Sequence, residues 1–466
     1  MGEPDGAGGS ARDVTGRGSD VAFFGALGVL AALVFAPSLK TAFFADDFGY
    51  LALTRRPGWW HSGTVWDLSA QVVRPITILA VGVQQELFGL RPLRFHVVGL
   101  GLVLLGGVLG FVLAGRLGLG RFGARATAAV LVLHAANGWT VMWTASTSSL
   151  YVVLLSLAAA VVAAAVHQGR ARRAAVAGLV VLALLARDVA IVLPALLVLV
   201  RMVVVDGPPR RRLRRAVLDT LGAWVAMVAF VGIRFAAAAF ARAHPDPDRL
   251  VPVLDGGSFR RALPDSPRHL HDLFVLGASP VRMRMGPTGL AFPWWTVAIA
   301  VALWALVVVG AVLEARRGRW VAAAGVAWFA VAIVPPAFLQ AEITYVNYVD
   351  LAVPGIALAV GALAERIAEP LGAPGRRGLA AAGLLVLALA AHHGAASVIR
   401  PRPDIISRAV EIELQVRADY PDPAPGSTIV VRDARPEDPL WTSNGDQIRL
   451  LYDDPTLVVV FEPPSG

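Results

Sequence analysis

The stretch Phe43-Phe44-Ala45-Asp46-Asp47-Phe48-Gly49-Tyr50 follows closely on an apolar run at residues 21–39. At 1.5 Å per residue such a run reaches across the ~30 Å hydrocarbon core of a bilayer, which sets two adjacent carboxylates at a membrane edge. Ionisable groups there are costly to desolvate, and where they occur they line a watery cavity and handle protons, ions or polar substrates. Ala42-Phe43-Phe44-Ala45 offers the small residues of a cleavage site. The apolar core of a cleaved signal runs only about 7–15 residues, however, so the run is read as a retained helix. The Gly-rich, polar residues 1–20 are expected to be disordered.

The rest of the chain agrees with a membrane reading. Its 466 residues are 56% hydrophobic and 16% charged, with a mean hydropathy of +0.63, more apolar surface than a soluble globule of this length buries. Further spans are expected near 95–115, 126–143, 149–166, 174–186, 189–205, 216–240, 290–313, 320–339, 351–363 and 379–398. With the first, that makes an all-α polytopic membrane protein of about 11 transmembrane helices.

Charge tests the count. The arginine clusters 116/121/125, 170/172/173, 210–215, 316/317/319 and 366/376/377 all fall in alternate loops, on one side with the N-terminus. The positive-inside rule makes that side cytoplasmic, with outer loops at 40–94 and 241–289; the arginines of the second loop oppose it, but long loops weigh less, and the membrane is expected to be the plasma membrane. The net charge of +9 is thus topology rather than a nucleic-acid footprint. There is no cysteine, so disulfides and thiolate metal sites are excluded. Runs 174–186 and 189–205 are short for crossings, which should sink Arg187 and Asp188 below the outer surface, in protein or a water-filled cleft.

After the transmembrane region 21–398, residues 399–466 turn rich in Pro and charge, with strand-like runs at 428–431, 448–452 and 457–461. Asp453-Asp454-Pro455 reads as the turn between the last two, giving a small extracytoplasmic β-containing C-terminal tail.

Asp46 and Asp47 are the leading candidates for chemistry. Vicinal like charges repel, so one carboxyl holds its proton to higher pH than the other and the two can take distinct roles. One can accept a proton from a hydroxyl or amine while its neighbour, Asp47, orients that group or ligates a divalent cation. The alternative is a hydrated Asx-type turn.

The order of motifs resembles a family. The acid pair after the first span, Val73-Arg74-Pro75-Ile76-Thr77, Leu87-Phe88-Gly89-Leu90-Arg91-Pro92, Phe95-His96, Leu133-His134-Ala135-Ala136-Asn137 and Trp143 together look like GT-C fold glycosyltransferases. They are most similar to protein O-mannosyltransferases and their bacterial and TMTC-type relatives, well over residues 20–205 and only by topology beyond. The resemblance implies an inverting transfer from a polyprenyl-phosphate sugar, with Asp46 as general base and Asp47 as its helper. Arg187-Asp188 stands where relatives carry Lys-Glu or Arg-Glu, and Thr344-Tyr345 replaces their Arg-Tyr.

Such a leaving group departs as a stable anion, so one base and cationic stabilisation of phosphate suffice. Arg74, at the start of a helix on the outer face, is the first phosphate candidate, with an interfacial anchor as the alternative. Arg187 is the second, against an Arg187–Asp188 structural ion pair. Asp188 and Glu86 are candidate cavity residues, a solvated face being preferred for Glu86. His96 and His134 read as helix-packing histidines before catalytic ones. Trp139 and Trp143 suit an interfacial belt or a sugar-stacking platform. Glu342, Tyr345, Asn347 and Tyr348 are expected to line the donor cavity, or a polar loop with interfacial tyrosines. His269, His271 and Asp272 lack a third spaced metal ligand, and the interleaved Leu270, Leu273 and Phe274 favour an amphipathic helix on the membrane.

The sequence thus points to a glycosyltransferase using a polyprenyl-phosphate sugar, membrane lipids, and a protein, glycan or lipid acceptor. The rival is a transporter or flippase, in which the acids couple ions to movement and the two halves of the chain should mirror each other. No half does.

Overall fold

The computed structural model describes residues 9–43, 45–55, 58–61, 65–70, 74–165, 169–245, 263–279, 282, 284–286, 289–339, 346–399, 403–435, 438, 442 and 444–463. Its helices run α1 (Gly9–Val34), α2 (Ala36–Leu39), α3 (Asp46–Arg55), α4 (Pro75–Phe88), α5 (Pro92–Arg116), α6 (Arg121–Val132) and α7 (Ala136–Met142). They continue as α8 (Thr147–Ala163), α9 (Arg170–Ala186), α10 (Leu193–Val204), α11 (Pro209–Asp219), α12 (Leu221–Ala243) and α13 (Ser266–Gly277). The last are α14 (Trp294–Arg316), α15 (Val321–Ala332), α16 (Val334–Leu339), α17 (Val353–Ala368), α18 (Ala373–Ile399), α19 (Pro403–Asp419) and α20 (Asp446–Leu451).

Among the described residues, six helices are long and apolar enough to cross a membrane: Pro92–Arg116, Thr144–Ala163, Leu221–Ala243, Trp294–Arg316, Val321–Phe338 and Ala373–Ser397. The other expected crossings are shorter or broken. Residues 126–143, expected as one span, form α6 and α7 with a break at His134. The Asn137 side chain donates to the carbonyls of Leu131 and Val132 at 2.7 and 3.0 Å, and Ser279 Oγ accepts from the Ala135 amide at 3.0 Å. A broken helix is stable in an apolar setting only when its freed backbone groups are met in this way. Residues 9–20, expected to be disordered, instead begin α1, and Asp20 pairs with Arg125 at 2.6 Å and Arg121 at 3.4 Å.

Burial separates an inner set of helices from an outer one. The apolar window of Thr144–Ala163 is 67% buried, whereas those of Leu221–Ala243 and Trp294–Arg316 are 22% buried, so the latter two present most of their surface outward as lipid-facing helices do. Inner helices approach closely through glycine. A Cβ on Gly325 would lie 2.5 Å from the Gly355 carbonyl oxygen, and one on Gly355 would lie 2.5 Å from that of Gly325. α15 and α17 therefore pack backbone to backbone, by the small-residue contact that brings membrane helices together.

α5 defines the two ends of the bundle. His96, in its first turn, bonds the Thr41 carbonyl at 3.1 Å beside the acid-bearing loop. Arg116 closes the same helix about 30 Å further along. At that far end Glu314 meets Arg317 at 2.9 Å and Arg319 at 3.5 Å, and Glu365 accepts from the Gly120 amide at 2.7 Å.

The chain after α18 forms its own apolar cluster around Ile412, Val416, Ile429, Val431, Ile448 and Leu457. Strands β3 (Thr428–Val431) and β4 (Val458–Phe461) pair in parallel, Thr428 opposite Val458 and Val431 opposite Phe461. Parallel neighbours need a crossover. Residues 448–452, expected as a strand, supply it as α20, so Asp453-Asp454-Pro455 follows a helix rather than a strand. In the 241–289 loop, α13 precedes a short antiparallel pair, β1 (Arg284–Gly286) and β2 (Gly289–Ala291). α13 does not lie on a surface as expected: His269, Asp272, Leu273 and Leu276 are buried, and Phe274 stacks on Trp304 at 5.4 Å.

Candidate active site

α3 opens on the acid pair. Ala45, just before it, has φ of 50°, a left-handed conformation that costs a non-glycine residue roughly 1–2 kcal/mol, and burial of Ala45 holds it there. This turn sends the two acids to different surroundings. Asp47 is fully buried, and its Oδ1 accepts from the Ala145 amide at 2.7 Å, in the short 3-10 turn Thr144–Ser146 between α7 and α8. Asp46 stays exposed to solvent. Protein around its carboxyl raises its pKa from the ordinary aspartate value, against the pull of the Arg74 guanidinium.

Arg74 stands immediately before Pro75, whose fixed φ and missing N–H suit the first turn of α4. Its Nη1 donates to the Tyr50 hydroxyl at 3.1 Å. Burial works against the charge of Arg74, but Tyr50, Asp188 and Tyr348 outweigh it and keep the guanidinium protonated. Thr77, one helical turn on, donates to the Ala186 carbonyl at 3.2 Å and ties α4 to the bend that carries Arg187.

That bend is where α9 ends and the 3-10 turn Asp188–Val192 begins. Arg187 is 2% exposed, donates to Ser149 Oγ, and lies 5.1 Å over the Tyr348 ring, within electrostatic reach of Arg74 and Asp350. The alternative reading of Arg187, a close ion pair with Asp188, is not formed, although the two remain within electrostatic reach. Asp188 faces Arg234 of α12 at 3.9 Å, and Arg234 also donates to the carbonyls of Leu68 and Ala70. Asn347 donates to Ser149 at 3.4 Å, and Ser149, Arg187, Asn347 and Tyr348 line a hollow of about 10 Å³, room for a single water. Asp350 is buried and accepts from Thr140 Oγ1 at 2.8 Å. Among the described residues, Arg74 Nε, Asn347 Oδ1 and Asp350 Oδ1 are buried and meet no hydrogen-bond partner, the condition a polar ligand would relieve.

Asp46, Asp47, Arg74, Arg187, Asp188, Asn347 and Tyr348 therefore belong to one neighbourhood. Other candidates do not join it as cavity residues. His96 is wholly buried between the Val141 carbonyl, 2.9 Å from Nδ1, and Thr41, and is a packing group. His134 is buried at the α6–α7 break, its Nδ1 accepting from the Ala136 amide at 3.3 Å. Trp139 and Trp143 meet edge to face at 5.6 Å in the core, not in an interfacial belt, because the helix break turns α7 inward. Glu86 lies at the other end of α3, where an open cavity of about 350 Å³ is lined by Thr54, Arg55, Trp59, Trp60, Gln85 and Glu86. Glu342 and Tyr345 lie outside the described residues. Among the described residues, no group of three His, Asp or Glu comes together to hold a metal, and this includes the vicinity of His269, His271 and Asp272.

Sequence reading missed Tyr50, Ser149, Thr140, Arg234 and Asp350. Arg234 was open to discovery as a lone charge within an apolar span, the usual mark of an intramembrane polar site. Ser149 and Thr140 carry no such signal, since isolated hydroxyls are common in membrane helices.

No family model and no curated protein matches the chain. Solved structures do. The chain is similar to the crystal structure of ArnT from Cupriavidus metallidurans in the apo state, with a TM-score of 0.55 and 15% identity over 96% of this chain and 86% of that one. Against ArnT bound to undecaprenyl phosphate the TM-score is 0.56 with 16% identity, covering 95% and 86% of the two chains. Against the apo oligosaccharyltransferase of Archaeoglobus fulgidus it is 0.54 with 11% identity, covering 94% of this chain and 64% of that one. The chain has the GT-C fold of these membrane transferases.

Proposed function

We propose that this chain is an inverting glycosyltransferase that moves a sugar from a polyprenyl phosphate to an acceptor hydroxyl of a protein, glycan or lipid. The observation that carries the proposal is the division of labour in the acid pair: Asp47 is pinned on Ala145, while Asp46 is solvent-accessible, raised in pKa and next to a fixed guanidinium. The reaction then runs in one displacement. Asp46 takes the acceptor proton as the acceptor oxygen attacks the anomeric carbon, the bond from that carbon to the phosphate oxygen breaks, and its electron pair leaves on polyprenyl phosphate. The raised pKa makes the Asp46 carboxylate, once ionised, a better base than an ordinary aspartate. Arg74 and Arg187 supply positive charge for the leaving phosphate.

The fold supports this reading, since ArnT shares it and has been crystallised with undecaprenyl phosphate. The arginine pattern supports a reaction on the outer face of the membrane, which we take to be the plasma membrane, with the N-terminus cytoplasmic and the C-terminus outside. Asp47 is the carboxylate that would ligate a divalent cation, with one of its oxygens already accepting from the Ala145 amide.

The test is a reconstituted assay of the full chain in proteoliposomes with polyprenyl-phosphate sugars. Release of free polyprenyl phosphate with the sugar on an acceptor supports the proposal. Intact lipid-linked sugar moved between leaflets, without cleavage, would instead establish the flippase reading.

A further inference from the structure

The 350 Å³ cavity at the far end of α3 is built from residues that the transfer step does not use. We propose that it is a carbohydrate subsite for the acceptor, and that the acceptor is an oligosaccharide. This rests on the glycosyl-transfer reading above.

The cavity has the parts that a sugar needs. Trp60 keeps 59% of its surface exposed and lies against the His61 ring, centroids 4.5 Å apart, so the indole offers an open platform. A sugar presents an apolar C–H face to such a ring and its hydroxyls to the rim, the mixed contact that suits tryptophan. The rim is ordered. Trp59 is buried against Gly82, where any Cβ would lie 2.1 Å from its ring, and its Nε1 donates to Glu86 Oε1 at 3.2 Å. Thr54 Oγ1 donates to Gln85 Oε1 at 2.5 Å. The volume is within the ~300–1,000 Å³ of small-ligand sites.

The charge argues against a phosphate-bearing ligand. Arg55 is the one cation among the described lining residues, and it is engaged by Asp453 at 2.7 Å and the Leu450 carbonyl at 3.1 Å. Glu86 would repel an anion, whereas its carboxylate accepts readily from hydroxyls. Distance then sets the ligand's length. Thr54 is eight residues from Asp46, about 12 Å along the helix. A lone monosaccharide held at Trp60 would not reach the base, and a chain of several units would.

The experiment probes an array of linear hexose and pentose oligosaccharides, one to four units long, with the detergent-solubilised full chain. Wild type and Asp46→Asn should hold the same spots, all of two or more units. Trp60→Ala should weaken them about tenfold, Trp60→Phe should recover part of the loss, and Glu86→Gln should fall between. Undiminished binding by Trp60→Ala, or no oligosaccharide held by wild type, would overturn the subsite. So would a Trp60→Ala chain that keeps its glycans but loses affinity for vesicles of anionic phospholipid, which would make Trp60 a membrane anchor. The two readings fail separately: glycan binding without donor cleavage leaves the subsite standing and removes the transferase, and cleavage without glycan binding does the reverse.

Discussion

Arg74 donates to the hydroxyl of Tyr50 across 3.1 Å, and Tyr50 lies one turn of α3 beyond Asp46. The cation is thereby fixed on the helix face that presents Asp46. Arg74→Ala should raise the donor KM by roughly ten- to a hundredfold, in line with hydrogen bonds to charged groups, and alter the acceptor KM far less. Tyr50→Phe keeps the guanidinium but frees its direction, and should give a smaller donor effect. Initial rates over a grid of donor and acceptor concentrations separate these; equal losses for both substrates would make Arg74 a scaffold residue.

Asp46→Asn should lower kcat by about 100- to 10,000-fold, the usual contribution of a general base. It should also melt higher than wild type at neutral pH. The protein raises the pKa of Asp46 above its unfolded value, so ionisation costs stability increasingly as pH climbs through the aspartate range, and an asparagine removes that cost. A lower melting temperature would mean that the loss of turnover reflects misfolding.

The pH profile carries the same sign. Because the base must be ionised, kcat/KM should rise with pH through the raised pKa of Asp46. Arg74 pulls that pKa down, so Arg74→Gln should move the acid limb to higher pH. A limb that stays in place would detach Asp46 from the rate.

Asp47→Ala should destabilise the chain by about 1–3 kcal/mol, because it leaves the buried Ala145 amide without its acceptor. Asp47→Asn keeps an oxygen for that amide and should melt close to wild type. Comparing the melting of the two variants tests whether Asp47 acts as a strut.

Gly355→Ala should lower the melting temperature, since the added methyl would lie 2.5 Å from the Gly325 carbonyl and α15 and α17 would have to separate. Gly232→Ala on α12, where nothing lies within 4 Å, should be neutral or mildly stabilising and is the control.

Much of this was legible in the residues. Arg74-Pro75 marked the start of α4, and the acid pair stood out because charge at a membrane edge is rarely tolerated without cause. What escaped was settled by distant partners. The α6–α7 break depends on Asn137 and Ser279, and a window of apolar residues cannot register a side chain that meets backbone groups of the previous helix. Residues 448–452 are apolar enough to read as a strand, yet the parallel pairing of β3 with β4 leaves them the task of crossing over. Asp350 sits one residue before an expected span and reads as a loop acid until Thr140 is seen beside it, 210 positions away in sequence.

α3 is a rod fastened at both tips. Near its start Asp47 is tied to Ala145, and at its finish Arg55 is tied to Asp453 and Leu450, 395 positions along the chain. The C-terminal segment is consequently part of the jig that aims Asp46. Exchanging that segment for one from a cousin would tilt the rod as well as swap a module, so chimaeras need the Arg55 fastening rebuilt before their substrate choice can be compared.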